Sequence, residues 1–401
     1  MSFLSGKKTL LGISGGIAAY KSPLIVRSFI SLGAEVKVIM TPSAKDFVTP
    51  LTLSTLSNHP VYSTFTEESN ENPIWNDHVA LGKWADLFLI APATSNTLSA
   101  MVHAKCNNLL IATYLSCTCP VYIAPAMDLD MFAHPANQEN IKKLKDVGKK
   151  VIPVGEGFLA SGLHGKGRMM EPNEIVDFII QDIKSSLPLD GKKVLITAGP
   201  TYEPIDPVRF IGNHSSGKMG FALAKEAYQL GAHVILVSGP TSLEAPLDIE
   251  YFNVFTTEEM YSKVMEHFTE VDIVISAAAV ADFKPQNVET QKIKKKKGIR
   301  SIVLQKTLDI LAKMGELKQN QFLVGFALET ENEINNAIKK IKSKNLDGIV
   351  LNSLNESGAG FSGDSNKVTY IDKNETIVPF KLKSKKLVAK DIFSQILNHY
   401  A

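Results

Sequence analysis

The sequence predicts an α/β protein of two Rossmann-like, three-layer domains with mainly parallel sheets. Two observations carry this. Short apolar, β-branched runs alternate with helix-length segments, as βαβ units and buried parallel strands do. The same opening also occurs twice along the 401 residues. Lys7-Lys8 precedes an apolar run at 9–13, glycines follow, and Gly33-Ala34-Glu35 leads into a second run at 36–40. Lys192-Lys193 precedes a run at 194–197, and Gly231-Ala232-His233 leads into another at 234–237. A repeat of this kind means that a sheet is started twice.

The remaining elements follow in order. Apolar runs at 87–90 and 121–123 predict two more buried strands in the first half, with helices at 137–147 and 172–183. The Pro, Asp and Gly punctuation of 185–191 reads as a linker, dividing the chain into domains 1–190 and 191–401. The second half adds strands at 272–276, 321–326 and 348–351, a Lys-rich helix near 331–344 and a closing helix over 388–397.

Composition excludes several function classes. Hydrophobic residues make up 44% and charged residues 21%, the balance of an ordinary globular chain. Lys+Arg of 43 against Asp+Glu of 41 leaves a net charge of +2, so no global basic field is available for nucleic acid. The apolar runs are too short to span a bilayer, and the N-terminus reads as a first strand rather than a signal peptide. Three cysteines cannot staple a chain this long, and Cys117 and Cys119 are too close for easy mutual bridging. A reducing compartment, the cytoplasm, is expected.

In the first half, Gly12–Lys21 joins a strand to a helix. Ser14, Gly15 and Gly16 there form either a purely structural tight turn or a place where backbone N–H groups meet an anion. The spacing is not that of a dinucleotide fingerprint, and no carboxylate ends the second strand. Thr41, Ser43, Thr94, Ser95 and Asn96 stand just after strands, where open α/β sheets bind ligands, and suit a phosphate and ring cradle. His78 precedes a helical stretch, Asp128 and Asp130 flank a Met-rich turn, and residues 159–169 form either a solvated turn or a lid over an anionic substrate. Together, Gly12–Lys21, His78, Ala91-Pro92-Ala93-Thr94, Pro125-Ala126-Met127 and Gly165–Met169 resemble the flavin-dependent cysteine decarboxylases that act on phosphopantothenoylcysteine. The resemblance implies a flavodoxin-like domain, FMN as cofactor and His78 as the catalytic histidine. It implies oxidation of the substrate thiol to a thioaldehyde, loss of CO2 and reduction of the enethiol. Asp128 stands where the family has an Asn for the substrate carboxylate, and Ser161 stands where its lid carries an acidic cysteine.

In the second half, Gly212–Met219 nearly fits a P-loop. Met219 replaces the Mg²⁺-binding hydroxyl, and a Pro-rich stretch separates the segment from its strand, so only anion binding survives. Ser276, Ala277 and Ala278 let a flat ring or phosphate approach the backbone, and Asp282 is either a helix cap or a ligand for a base or metal. The run Lys292–Lys297 is a solvated loop or a mobile cover for a triphosphate. Lys340 and Lys344 share one helix face. With Thr197–Thr201, Glu203–Arg209, Asn213–Gly220, Ala277–Asp282 and Gly325-Phe326, this half resembles phosphopantothenate–cysteine ligases, and the whole chain resembles the bacterial family that fuses both activities.

The resemblance implies that the carboxylate of 4′-phosphopantothenate attacks CTP, with Mg²⁺ on the phosphates, to give an acyl-cytidylate that the amine of cysteine then opens. It implies that Asn213 handles that intermediate, that Lys292 is the catalytic lysine, and that Ser276–Ala278, Asp282, Thr307, Leu308, Asp309, Ile310, Phe326, Lys340 and Lys344 bind CTP. The protein's own metal ligands stay unassigned. The implied partners are these small molecules and further copies of the chain, trimeric through the flavin domain and dimeric through the ligase domain. Two rival readings stay open: a ligase whose decarboxylase half is disabled by Asp128 and Ser161, and a non-catalytic flavoprotein regulator.

Overall fold

The computed structural model describes residues 3–67, 74–246, 248–294, 301–329, 331–353 and 363–400. It divides into two compact units, Met1–Ile183 and Lys184–Ala401.

The first unit is built on a six-stranded, all-parallel sheet ordered Val61–Tyr62, Glu35–Met40, Lys8–Ile13, Leu87–Ala93, Val121–Pro125, Lys150–Val151. In chain order this is 3-2-1-4-5-6, the doubly wound order that opens a crevice between the first and fourth strands. Alternate side chains point to opposite faces. Leu11, Ile13, Leu89 and Tyr122 join Phe29, Ile175 and Ile179 in one core, while Leu10, Phe88, Ile90 and Ile123 join Leu109 and Leu110 in the other. Two helix layers therefore sandwich one sheet. Residues 14–21 enter their helix through a 3-10 turn, Ile17–Lys21, before the α-helix Ser22–Ser31 begins.

The second unit repeats the plan and extends it. Its sheet runs Glu250–Asn253, His233–Ser238, Lys193–Ala198, Ile273–Ser276, Phe322–Glu329, Gly348–Ser353, again 3-2-1-4-5-6 and parallel. Val368–Asp372 and Ile377–Pro379 then add an antiparallel edge that the apolar runs did not predict. Ile196, Leu236 and Val324 pack under Leu223, Ile392 and Phe393, and Leu195, Ile235 and Leu323 pack under Val264, Met314 and Ile341. The helix Pro172–Ser185 runs into the predicted linker, and Leu189, within that linker, is fully buried in the second unit's core. Among the described residues no helix is long and apolar enough to cross a membrane.

Candidate active sites

Each unit has a cavity at the C-terminal ends of its parallel strands. The first, about 690 Å³, is lined by Gly15, Gly16, Thr94, Ser95, Asn96 and Asp128, with Met127, Met131 and Leu159 as apolar wall. Ser14, Thr41 and Ser43 stand behind this lining. Ser14 is buried, its hydroxyl donates to the Pro92 carbonyl at 2.7 Å, and it accepts from the Thr94 N–H at 3.0 Å, which ties the two strand ends together. A Cβ on Gly15 would lie 2.4 Å from Ser43 Oγ, so only glycine lets the two turns close on each other.

Residues 159–169 form the tip and second strand of an antiparallel hairpin, Gly155–Phe158 against His164–Arg168, whose Phe158, Leu159 and Ala160 reach the cavity. Its base is locked backbone to backbone. The Met127 N–H donates to Gly167 O at 3.0 Å, and Gly167 has φ +138 with no room for a Cβ beside Met127 O. Asp128 caps the helix Leu129–Ala133 by accepting the Leu129 N–H at 2.7 Å. Ser161 is exposed at the hairpin tip and does not line the cavity; its hydroxyl accepts from the Leu163 N–H.

His78 is not brought to this cavity. It opens the helix His78–Trp84, capped by Asp77, and stands edge-on to Phe65 and Trp75 at 6.2 and 6.4 Å. Its Nδ1 is buried with no hydrogen-bond partner among the described residues, an uncompensated polar atom. Two cations that the sequence left without a role do line the cavity. Lys21, buried, donates to Met169 O and to Glu171 Oε1, both at 2.9 Å, and Arg168 reaches the same Glu171 oxygen at 2.8 Å. The hydrogen bond from Lys21, helped by both positive charges and opposed by partial burial, holds the Glu171 carboxyl below the usual carboxylate range.

The second cavity, about 860 Å³, gathers Asn213, Ser276, Ala277, Ala278 and Asp282 on one side and Thr307, Leu308, Asp309, Ile310 and Phe326 on the other, with Lys340 and Lys344 between. The Thr307 N–H donates to Asp282 O at 3.0 Å, joining the two lining segments, and Asn213 Nδ2 donates to Val280 O at 2.9 Å. Asp282 caps no helix, because the strand Phe283–Pro285 follows it. Lys340 pairs with Glu329 at 2.6 Å and Lys344 with Asp309 at 2.8 Å. Burial would raise the Asp309 carboxyl, but hydrogen bonds from Lys344 and the Ala312 N–H, with the charges of Lys344 and Lys340, hold it low.

Lys292 is exposed and does not line this cavity. Its neighbour Ile293 is anchored, donating its N–H to Asp206 at 3.1 Å and accepting from Arg209. Lys295, Lys296 and Lys297 lie outside the described residues. The cavity also takes in Lys218, Asn352, Asn366 and Lys385, none of which had been assigned to CTP. Lys218 had one signal, its place at a glycine-led helix start. The other three follow the last recognisable motif. Lys218 pairs with Asp364 at 2.7 Å, and burial, together with the Lys218 charge, lowers the Lys385 ammonium.

Comparison with known proteins places the chain. The flavoprotein family matches residues 2–184, and the DNA/pantothenate metabolism flavoprotein C-terminal domain matches residues 189–400. The coenzyme A biosynthesis bifunctional protein CoaBC of Bacillus subtilis is 45% identical over 98% of this chain and 97% of its own. A cysteine/cysteine sulfinic acid decarboxylase from an unknown prokaryotic organism is 52% identical over 87% of this chain and 99% of its own. A crystal structure of the C-terminal domain of a CoaBC protein is 44% identical, covers 54% of this chain and 98% of that one, and superposes with a TM-score of 0.47. With two cavities on two doubly wound sheets and this end-to-end similarity, the chain belongs to the family of bifunctional coenzyme A biosynthesis proteins, a flavoprotein unit followed by a pantothenate-metabolism C-terminal domain.

Proposed function

We propose that residues 191–401 join 4′-phosphopantothenate to cysteine at the expense of CTP, and that residues 1–190 decarboxylate the product to 4′-phosphopantetheine. The carrying observation is that a chain similar over its whole length to a bifunctional relative has one cavity in each unit.

In the ligase unit, the carboxylate of 4′-phosphopantothenate attacks the α-phosphate of CTP, pyrophosphate leaves, and the amine of cysteine then displaces CMP. Lys340 and Lys344 exchange their present partners, Glu329 and Asp309, for phosphate oxygens. Ser276, Ala277, Ala278, Asp282, Thr307, Leu308, Ile310 and Phe326 bound the nucleotide. Asn213, already held on the Val280 carbonyl, faces the acyl-cytidylate, and Lys292 reaches in from its anchor at Ile293 to offset charge in transfer. Mg²⁺ enters on the phosphates. Among the described residues no group of three or more His, Cys, Asp or Glu could hold a metal.

In the flavoprotein unit the described residues fit FMN. The close approach of Gly15 to Ser43 leaves a backbone cradle, and the apolar wall suits a flat ring. Gly15, Gly16, Thr94, Ser95 and Asn96 would hold the phosphate and ribityl chain, backed by Ser14, Thr41 and Ser43. When bound, the flavin supplies a two-electron acceptor for the substrate thiol and returns the electrons after CO2 has left. Asp128 already accepts a backbone N–H, and Arg168, a cation lining the same cavity, is the group that receives the substrate carboxylate. His78, away from its own cavity and with Nδ1 unpartnered, serves the cavity of a second copy in a homo-oligomer. Ser161 occupies the lid-acid position with a hydroxyl, a far poorer proton donor than a thiol.

Asp128 also favours a second reading of this half. A carboxylate at the cavity wall suits the free ammonium of cysteine, and one relative is named as a cysteine/cysteine sulfinic acid decarboxylase. One assay separates these readings. Purified protein with FMN, 4′-phosphopantothenate, cysteine and CTP releases CMP and CO2 in equal amounts. CMP without CO2 leaves a ligase alone. CO2 from cysteine without CTP supports the second reading.

A further inference from the structure

The thiols of Cys117 and Cys119 belong to neither cavity. They lie between the helix Leu109–Ser116 and the strand Val121–Pro125, before that strand begins, whereas the cavity gathers at the opposite, C-terminal strand ends. Sequence spacing argued against a bridge. The fold brings the two Sγ atoms to 2.9 Å, both thiols free and both only partly buried. A disulfide needs about 2.05 Å, so less than an ångström of closure separates the dithiol from a bond. The surroundings are asymmetric. The hydrogen bond from Cys119, with the nearby Lys149 ammonium adding, pulls the Cys117 thiol down to about 7 against the opposing effect of burial. The same hydrogen bond, burial and the Cys117 charge push Cys119 up. The two sulfurs are close enough to share one proton, and the Lys149 charge acting on Cys117 favours it as the attacking thiol and Cys119 as the resolving one.

We propose that Cys117 and Cys119 form a redox-active dithiol that reacts with small aliphatic disulfides, Cys117 attacking and Cys119 resolving. The Cys117 thiolate displaces one thiolate from the small disulfide, which takes up a proton, leaving a mixed disulfide on Cys117. Cys119 then loses its proton, attacks the Cys117 sulfur and expels the second small thiol. Two protein thiols are oxidised by two electrons, and one small disulfide is reduced to two thiols. Cys106, exposed and remote in sequence, takes no part. The loop touches the helix that carries His78, since a Cβ on Gly82 would lie 3.3 Å from the Cys117 Cα. The dithiol therefore sits under a candidate catalytic element without belonging to it.

The test uses the full chain, reduced and then exposed to oxidised glutathione. The expected result is loss of the Cys117 and Cys119 thiols with a Cys117–Cys119 bridge in the peptide map, and a mass loss of about 2 Da from two hydrogens in chains whose exposed Cys106 has not itself taken up glutathione. Cys106→Ser still loses two thiols. Cys119→Ser stops at one bound glutathione on Cys117, while Cys117→Ser takes up glutathione at Cys119 more slowly, because the Lys149 charge still acts on Cys117 in the first variant. The proposal is overturned if all three thiols persist, if the bridge joins two chains, or if glutathione accumulates equally on both single variants. Reduction of the bridged protein must restore three thiols; failure to do so also overturns it.

Discussion

Gly15→Ala is the sharpest probe of the flavin cradle. The new Cβ would lie 2.4 Å from Ser43 Oγ, 2.7 Å from Ser43 Cβ and 2.9 Å from the Ser43 carbonyl carbon. Turning the Ser43 hydroxyl away removes the first contact and leaves the other two, the nearer about 0.8 Å inside the distance at which carbon atoms attract. The turn Pro42–Asp46 must then move, but Ala44 within it is fully buried and resists. Overpacking of this kind costs about 1–3 kcal/mol. If bound FMN requires the turn in its present place, its Kd rises roughly 5- to 150-fold at 1.4 kcal/mol per decade. Gly16→Ala is the internal control, because its Cβ would meet Thr94 Cγ2 at 3.3 Å, and the expected change is below about threefold. The assay is fluorescence titration of FMN into apoprotein, with CMP release by the second unit reporting that the chain is folded. Equal affinities for Gly15→Ala and the parent, with normal CMP release, would refute the cradle.

The other predictions concern both units. Lys292→Gln abolishes CMP release, while CO2 release from supplied phosphopantothenoylcysteine persists; normal CMP release removes Lys292 from its role. Lys344→Met removes a cation now bonded to Asp309 and raises the KM for CTP about tenfold or more with the fold intact, read by initial rates. Ser161→Cys accelerates CO2-coupled turnover if the hairpin tip reaches the reacting atoms, and an unchanged rate places the proton donor elsewhere. Glu171 has its carboxyl held low by Lys21, so its contribution to stability is present above the ordinary glutamate range near 4.3 and is lost as pH falls through the lower folded value. Because Glu171 is half-exposed, the contribution is under about 1 kcal/mol. The melting-temperature gap between the parent and Glu171→Gln should close on acidification from pH 6 to 3; a constant gap contradicts the pairing.

How much of this was legible in the sequence follows from the range of the interactions. The inner parallel strands announce themselves because they are buried on both faces and so read as apolar runs, whereas the edge strands Val61–Tyr62, Lys150–Val151 and Glu250–Asn253 are partly exposed and carry no such run. Thr94–Asn96 and Ser276–Ala278 are legible because strand ends converge on the crevice wherever the order reverses. The antiparallel edge lacks such a run, because the polar Thr369 and Asp372 interrupt Val368–Asp372 and Ile377–Pro379 is short and largely exposed. Lys21 and Arg168 were visible as basic residues, but their role is set by Glu171, which Lys21 meets across 150 positions. Lys385 and Asn366 reach the second cavity only because the antiparallel edge returns the chain to it. His78 was identified by resemblance alone, and among the described residues nothing local explains why its Nδ1 is left buried and unpartnered.

The repeated topology also bears on how a nearly neutral chain would hold the triphosphate proposed for its second unit. Both cavities lie at the same switch point of the same strand order, so the scaffold does not distinguish them; the side chains do. The first is walled by Met127, Met131 and Leu159 and confines its cations to a Lys21–Glu171–Arg168 cluster. The second places Lys218, Lys340 and Lys344 around its rim, each already paired with Asp364, Glu329 or Asp309. Pairing keeps the cavity from collecting uncompensated charge and keeps the net charge at +2. On the proposed function a triphosphate would bind by exchanging carboxylate for phosphate at each lysine, and the gain would be the difference between two ion pairs rather than the whole of one. Binding by exchange selects a ligand that satisfies several lysines at once and gives little to a monoanion. On this argument CTP should protect the cavity's lysines from acylation far better than CMP at equal concentration; equal protection would mean that the base and ribose, not the phosphates, hold the nucleotide.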